Sequence, residues 1–209
     1  VDCTHPLAYL ITFSGDQCTQ GVTTGLDIAR VRSDLINGPG IKTSGIDFSA
    51  SYGWDLGPGF MLVGGAGTYT LEYEVRELFM DGVSVAEAYD AVGYNNFDRT
   101  APAISELKGN LYANYSLDDM NFRYQIEYIS GTEDNRSGII YGAGASDYVQ
   151  HDLHAFWEVP VDFADVRING SVENIFDEDP APAQLELSYN PFVGNALGRT
   201  FTIGATIQY

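Results

Sequence analysis

The sequence ends in Arg199-Thr-Phe-Thr-Ile-Gly-Ala-Thr-Ile-Gln-Tyr209, a stretch in which apolar and polar residues alternate strictly. Apolar residues occupy the odd positions from 201 to 209, whereas threonine, glycine or glutamine occupies the even positions from 200 to 208. A period of two indicates a β-strand with two different faces. In a soluble sandwich the apolar face would meet a core, whereas in an outer-membrane barrel it would meet lipid. The alternation alone leaves both interpretations open.

Composition favours an all-β chain. Its 209 residues include 23 glycines, 14 tyrosines and 11 phenylalanines, which indicates many strands and turns. No stretch approaches the roughly 20 consecutive apolar residues of a membrane helix, so any membrane crossing must use strands. The net charge of −19, with only 10 Lys and Arg, argues against nucleic acid as a partner. The start at Val1 has no leader, so we expect a processed chain or a piece of a longer protein.

The two cysteines, Cys3 and Cys18, lie fifteen positions apart in a segment rich in Gly, Thr and Ser. A zinc site would need a histidine or a second cysteine pair at a suitable spacing, and the segment has neither. We therefore predict a disulfide that closes an exposed loop in an oxidising compartment, worth about 3 kcal/mol in the loop-entropy model. No motif indicates a metal site or a cofactor.

The same alternation recurs upstream of the last strand. It predicts strands at residues 46–54, 60–79, 107–115, 122–128, 149–159, 166–172 and 199–209, with a further strand within 28–37. Short turns at 55–59, 118–121 and 160–165 alternate with long connections at 80–102, 131–146 and 176–198. Outer-membrane barrels connect their strands in this way, with short periplasmic turns and long extracellular loops. The pattern predicts eight strands of an antiparallel up-and-down transmembrane barrel whose C-terminus is periplasmic.

One face of these strands is charged, and charge is costly to bury in a dry core. A watery or plugged lumen would remove that cost. The residues predicted to line the lumen are Glu72, Glu74, Arg76, Glu106, Lys108, Arg123, Glu127, Asp152, His154, Arg167 and Glu173.

Several segments resemble one family. They are Ile41-Lys-Thr-Ser-Gly-Ile-Asp-Phe-Ser-Ala-Ser-Tyr52, Gly170-Ser-Val-Glu-Asn-Ile-Phe-Asp-Glu-Asp-Pro180, Tyr189-Asn-Pro191 and Gly198-Arg199-Thr-Phe201. In their order and spacing they resemble the C-terminal barrel region of TonB-dependent outer-membrane receptors. The last strand, with Thr202, Gly204, Ile207 and Tyr209, resembles the terminal targeting strand that the barrel-assembly machinery recognises.

The resemblance implies a larger protein. In that family about twenty-two strands close around an N-terminal plug domain, and TonB supplies the energy for nutrient uptake. Residues 1–209 then form a partial barrel of about eight or nine C-terminal strands without a plug. The implied location is the bacterial outer membrane. The implied partners are membrane lipid, the plug and the TonB complex through the missing N-terminal part, and the assembly machinery.

In that family the extracellular loops contribute to capture of the nutrient, which would be a siderophore, a vitamin or an oligosaccharide. Aromatic rings beside amides and carboxylates can stack on such ligands and hydrogen-bond them. The loop residues expected to bind substrate are Tyr89, Tyr94, Asn95, Asn96, Phe97, Asp98, Arg99, Tyr189, Asn190 and Phe192. The other interpretation of these residues is that they pack the loops together.

Other functions stay open at this stage. One is a complete eight-stranded barrel that serves as a membrane anchor or adhesin, and another is a soluble β-sandwich that binds a ligand. Catalysis is not expected. Asp152 and His154 share a strand face, with His151 and Ser146 nearby, but no nucleophile motif accompanies them.

Overall fold

A computed structural model describes residues 1–15, 17–33, 35, 37–136, 144–161, 164–184 and 187–209. The described chain is almost entirely β-structure, with two short 3₁₀ helices at Ala8–Leu10 and Gly25–Asp27. None of its helices is long and apolar enough to cross a membrane. The strands are β1 Ile11–Phe13, β2 Ile28–Val31, β3 Ile41–Leu56, β4 Gly59–Val75, β5 Leu78–Met80, β6 Val83–Ala86, β7 Tyr89–Asp90, β8 Leu107–Leu117, β9 Met120–Ile129, β10 Thr132–Glu133, β11 Gly144–Ala145, β12 Tyr148–Val159, β13 Asp165–Glu173 and β14 Thr200–Gln208.

The chain divides into two units, of which the first comprises residues 1–42 and 74–89. This unit contains two small antiparallel hairpins, β1 with β2 and β5 with β6. A disulfide joins Cys3 to Cys18 across a Cα separation of 5.5 Å. Thr24 caps the second 3₁₀ helix, and its side chain accepts a hydrogen bond from the Leu26 amide. The first unit is therefore a set of short, locally stabilised loops.

The second unit, residues 43–73 and 90–209, contains most of one large sheet. The strand order is β14-β13-β12-β9-β8-β4-β3, and β7 pairs with β4 as an eighth strand. The strands pair in an antiparallel manner from β14 through β13, β12, β9 and β8 to β4. The sheet does not close in the described part of the chain, because β3 and β14 are its two edges. The all-β, antiparallel fold class is confirmed.

The register places apolar residues of successive strands on one face. Across β8, β9, β12 and β13, for example, Ala113 lies opposite Tyr124, Tyr124 opposite Leu153, and Leu153 opposite Val172. The alternate positions form a polar face, on which Arg123 lies opposite Asn114 and His154. Because side chains alternate strictly along a strand, a slip of one residue would invert both faces.

Glycines in β4 make room for large side chains of the neighbouring strands. A Cβ on Gly64 would lie 2.6 Å from the Tyr112 hydroxyl, and one on Gly67 would lie 2.5 Å from the Phe48 ring. Both distances are far shorter than van der Waals contact. Aromatic residues that cover strand glycines in this way help to fix the register.

Several sequence-based boundaries were wrong. The strand predicted at 60–79 ends at Val75, and residues 78–86 form the separate hairpin β5–β6. Within 28–37 only β2 is a strand, and it pairs with β1 rather than joining the large sheet. Residues 34, 36, 137–143, 162–163 and 185–186, which fall in predicted connections or in the 28–37 strand, lie outside the described residues.

Candidate functional site in the connecting loops

Three long connections of the second unit contact one another at one end of the large sheet. They are residues 91–106 before β8, 130–147 between β9 and β12, and 174–199 between β13 and β14. Most of the buried residues of this unit lie in these connections or at the adjoining strand ends. A small apolar cluster there consists of Ala145, Tyr148 and Val193.

A buried amide pair joins the three loops. The Asn95 Oδ1 atom accepts hydrogen bonds from the Thr132 hydroxyl and from Asn190 Nδ2, the latter at 2.7 Å. The backbone amide of Asn95 also donates to the Glu133 carbonyl, at 2.8 Å. Asn95, Thr132 and Asn190 are all buried. We call these three residues the amide node.

Asn96 stabilises the first of these loops. Its Nδ2 atom donates to the carbonyl oxygens of Ala91, Tyr94 and Pro102, at 2.9 to 3.1 Å. Its backbone φ of 54° is a left-handed conformation, which asparagine adopts more readily than most residues do. This side chain therefore defines the path of residues 91–102.

A second link between the loops involves Arg136. Its guanidinium donates to both Asp134 carboxylate oxygens, at 2.7 and 3.0 Å, and to the Gln184 carbonyl at 2.9 Å. The guanidinium carbon lies 5.0 Å from the centre of the Phe97 ring, a cation–π geometry. The side-chain hydrogen bond from Arg136 holds the pKa of the Asp134 carboxyl below its usual value. The link therefore requires ionised Asp134.

The predicted substrate residues divide into two sets. Asn95, Asn96 and Asn190 are buried and bind other loop residues, so their amides face inward. The exposed or half-exposed set in the second unit is Tyr94, Phe97, Asp98, Arg99, Tyr189 and Phe192. Tyr89 belongs to the first unit. The structure thus brings residues 94–99 together with 189–192 through the amide node.

The comparison with known protein families agrees with this architecture. The family model described as "TonB dependent receptor-like, beta-barrel" matches residues 8–175. The chain belongs to this family. Searches of curated proteins and of solved structures return no match. Family membership supports a bacterial outer-membrane location and a general role in transport.

The polar face of this TonB-dependent receptor barrel carries a row of interacting side chains. The Arg123 guanidinium carbon lies 4.2 Å from the Tyr112 ring centre, and its nitrogens donate to Gln125 Oε1 at 3.0 and 3.2 Å. Gln125 Nε2 then donates to Glu127 at 2.9 Å. Every polar member of the row has a partner on the sheet itself.

A second polar row leads from the sheet to the loops of the receptor barrel. The Tyr148 hydroxyl donates to Gln150, and Gln150 donates to Asp152 Oδ1. The same oxygen accepts a bond from the backbone amide of Asn174, at the start of the last loop. The Asn174 side chain closes the following turn through two hydrogen bonds with the Glu178 backbone. This row anchors the last loop to β12.

Most of the residues predicted to line the lumen lie on this polar face. By register or by alternation along a strand they are Glu72, Lys108, Arg123, Glu127, Asp152, His154, Arg167 and Glu173. Arg76 and Glu106 lie just outside β4 and β8, and Glu74 lies near the end of β4. That this face looks into a lumen stays a prediction.

Asp152 and His151 of the receptor barrel have structural hydrogen-bond partners. Asp152 Oδ1 is engaged by Gln150 and Asn174, and His154 lies opposite Arg123 and Ser171. His151 lies on the other face, where its Nδ1 atom is 2.6 Å from the Tyr124 hydroxyl. Within the described ranges there is no group of three or more His, Cys, Asp or Glu side chains suited to hold a metal ion. The family is one of transporters, not of enzymes.

Sequence reasoning missed Thr132, Arg136 and Gln150, whereas Asn174 was predicted to cap the end of its strand and to shape the last loop, as its hydrogen bonds show. Each of the three missed residues is a common polar residue in or beside a long connection, and no local pattern distinguishes it from a solvated loop residue. Their partners lie between 2 and 48 positions away along the chain. Only the folded loops reveal them.

Proposed function

We propose that this chain is the C-terminal barrel portion of an outer-membrane active transporter that takes up a small nutrient with energy supplied by TonB. The match of the barrel family to residues 8–175 supports this proposal most directly. The nutrient would be a siderophore, a vitamin or an oligosaccharide. The plug domain and the TonB-contacting segment would belong to another part of the protein.

The two faces of the sheet fit this function. Large apolar side chains such as Phe48, Leu111 and Phe201 are more than half exposed on one face, and no second sheet covers them in the described part of the chain. A soluble sandwich would bury such a face. We infer that the apolar face lies against lipid and the polar face lines the lumen.

The open sheet also argues against a small complete barrel. A closed eight-stranded barrel would pair its first and last strands, whereas β3 and β14 are both edges of the described sheet. In the proposed transporter, further strands lie between these two edges. The last strand, with Thr202, Gly204, Ile207 and Tyr209, would enter the barrel-assembly machinery and end in the periplasm.

The loops are suited to ligand capture because the amide node holds them in one arrangement. On this assembly Tyr94, Phe97 and Tyr189 are half-buried and Phe192 is exposed. Rings held by a rigid framework lose little conformational entropy when a ligand stacks on them. We propose that these rings, with Asp98 and Arg99, contribute to the extracellular binding site.

Uptake by cells that produce the full-length receptor tests the proposal. Ferric siderophores, cobalamin and radiolabelled oligosaccharides would be supplied to strains with and without a functional TonB complex. We expect saturable uptake of one class, lost without TonB and reduced about tenfold by Tyr189→Ala with Phe192→Ala, because each ring contributes about 0.5–1 kcal/mol. Leu197→Ala, at another exposed apolar residue of the same loop, is the control. Uptake that is unsaturable and independent of TonB would refute the proposal.

A further inference from the structure

The three loops that the amide node joins are strongly acidic. Together they contain nine Asp or Glu residues, three Arg residues and no Lys. Two of the arginines lie beside carboxylates of their own loops, with Arg136 Nη2 at 2.7 Å from an Asp134 oxygen and Arg99 Nε at 3.9 Å from an Asp98 oxygen. The third, Arg199, directly precedes β14 at the edge of the sheet. An anionic ligand would therefore meet an excess of negative charge and be repelled.

A cavity of about 420 Å³ lies between the first and second loops. This volume falls within the range of roughly 300–1,000 Å³ that accommodates small ligands. Tyr94 and Thr132, the latter from the amide node, line the cavity together with the acidic residues Glu106, Glu133 and Asp147. No Lys or Arg of the described residues lines it. We call this space the loop cavity.

The acidic residues of the loop cavity are available as hydrogen-bond acceptors, because all three are exposed. A hydrogen bond from the Gly131 amide holds the pKa of the Asp147 carboxyl below its usual value, so this group is ionised at neutral pH. Glu133 joins the loops through its backbone, which donates to the Gly93 carbonyl at 2.7 Å and accepts from the Asn95 amide at 2.8 Å. Ionised carboxylates accept hydrogen bonds but cannot donate them. A ligand in the cavity must therefore supply the donors.

Aromatic rings lie beside these acceptors. Tyr94 lines the loop cavity and is half-buried, as is Tyr189, whereas Phe192 is exposed. The guanidinium of Arg136 already lies 5.0 Å from the centre of the Phe97 ring, so Phe97 has less free surface for a ligand. A pyranose ring has C–H groups on its faces and hydroxyl groups around its edge. It can therefore stack on an aromatic ring while its hydroxyls donate to carboxylates.

We propose that these loops bind an uncharged oligosaccharide, with one sugar ring in the loop cavity against Tyr94 and with hydroxyl groups that donate to Glu106 and Glu133. The inference rests on the proposed function, and it narrows the nutrient from three classes to one. A ferric siderophore whose catecholate or carboxylate groups leave the complex anionic would be repelled by the loops. Each neutral sugar ring instead supplies several hydroxyl donors to a surface rich in acceptors.

Equilibrium binding to the purified full-length receptor tests the proposal. The probes are an array of short neutral oligosaccharides, each beside the same compound with a terminal uronic acid. A ferric tris-catecholate, a ferric tris-hydroxamate and cyanocobalamin are assayed in parallel. Tyr94→Ala and Tyr94→Phe test the ring, and Glu133→Gln and Glu106→Gln test the acceptors. The matched controls are Asp118→Asn in the short turn between β8 and β9 and Tyr52→Ala at an exposed ring near the short-turn end of β3.

We expect the receptor to bind a series of neutral oligosaccharides, and to bind the uronic counterparts about tenfold more weakly because of two nearby exposed carboxylates. Tyr94→Ala should lower the affinity for the neutral compound about fivefold, and Tyr94→Phe should keep most of it, since the ring remains. Glu133→Gln and Glu106→Gln should each reduce the preference for the neutral form about threefold. A merely structural role of either glutamate would lower both affinities alike and leave the preference unchanged. The controls should change neither quantity.

Tighter binding of the uronic compounds or of the ferric tris-catecholate would overturn the proposal. Selective binding of the ferric tris-hydroxamate or of cyanocobalamin would also overturn it, and would leave the transport function intact. The same holds for a receptor that supports TonB-dependent uptake but binds no oligosaccharide, or binds one with an affinity and a preference that ignore Tyr94→Ala and both glutamine variants. Cells that produce the receptor but take up no compound in a TonB-dependent way would refute the proposed function itself, whichever probe binds.

Discussion

The amide node should control how the three loops open. We consider the substitutions Asn95→Ala, Asn190→Ala and their combination in the full-length receptor. Asn95 and Asn190 come from loops that are 95 positions apart in sequence. The hydrogen bond between them therefore links the first loop directly to the last.

The structure sets the expected magnitudes. Without Asn95, the Thr132 hydroxyl and Asn190 Nδ2 lose the atom to which both donate. An unsatisfied buried donor costs about 1–3 kcal/mol, so Asn95→Ala should lower the free energy of loop opening by about 2–6 kcal/mol. Asn190→Ala leaves Asn95 bonded to Thr132 but removes the acceptor of the Phe192 amide, and should cost about 1–3 kcal/mol.

The double variant is the decisive measurement. Once Asn190 has been removed, loss of Asn95 no longer leaves the Asn190 amide unsatisfied. The destabilisation in the double variant should therefore be smaller than the sum of the two single effects by about 1–2 kcal/mol, a range typical of residues in direct contact. Distant residues in independent loops would give additive effects.

Hydrogen exchange provides the assay. The Val193 amide donates to the Asn190 carbonyl at 3.1 Å and is buried, so its exchange reports opening of the last loop. A loss of 2 kcal/mol corresponds to about thirtyfold faster exchange. Asn195→Ala is the matched control, because Asn195 is exposed and its side chain accepts a bond from the Leu197 amide two positions away rather than from another loop, while its backbone bond to Tyr148 does not depend on the side chain. Unchanged Val193 exchange in Asn95→Ala, or full additivity in the double variant, would refute the node.

Three further predictions concern the sheet, the loop ion pair and the disulfide. Gly109→Ala should destabilise the barrel by about 1–3 kcal/mol in urea unfolding, because the added Cβ would lie 2.9 Å from a backbone oxygen of β4. Gly170→Ala, whose Cβ would have its nearest atom at 3.7 Å, is the control and should be neutral or slightly stabilising. Equal effects of the two substitutions would contradict the geometry. The depressed pKa of Asp134 means that its contribution to loop stability is complete above pH 3.8 and lost as the pH falls below that value. Pepsin cleavage of the second loop should therefore increase as the pH falls below 3.8. In Asp134→Asn the loop should be cleaved both above and below that pH. Reduction of Cys3–Cys18 should remove about 3 kcal/mol of loop restraint and expose residues 1–42 to protease while the sheet stays intact; unchanged cleavage would show that the disulfide contributes little.

Much of the sheet could be predicted from the sequence because each strand has one apolar face and one polar face. β14 spans Thr200–Gln208 where alternation predicted 199–209, and β9 spans Met120–Ile129 where it predicted 122–128. The short turns were predictable for the same reason, since polar residues and glycine interrupt the alternation there. Gly57, with a φ of 58°, is one such interruption.

The end of β4 was less predictable. Apolar residues continue beyond Val75 at Leu78 and Phe79, so a period-two pattern extends the strand by four residues. In the structure these residues pair with β6 instead. A hydrophobic pattern records which residues avoid water, but it does not record which strand pairs with which.

The arrangement of the loops was the least predictable part of the structure, and their buried side chains show why. Asn95 and Asn190 have the composition of ordinary solvated loop residues, yet both are buried. An apolar cluster could hold loops together as tightly, but apolar contacts have little directionality and would allow several loop arrangements. Asn95 Oδ1 accepts bonds from two other loops at once, which only one arrangement satisfies. The cost is visible in Asn95 Nδ2 and Asn96 Oδ1, which are buried without a partner among the described residues. A polar node that tolerates this cost favours a single loop geometry over maximal stability, as the proposed binding surface around Phe97 and Phe192 would require.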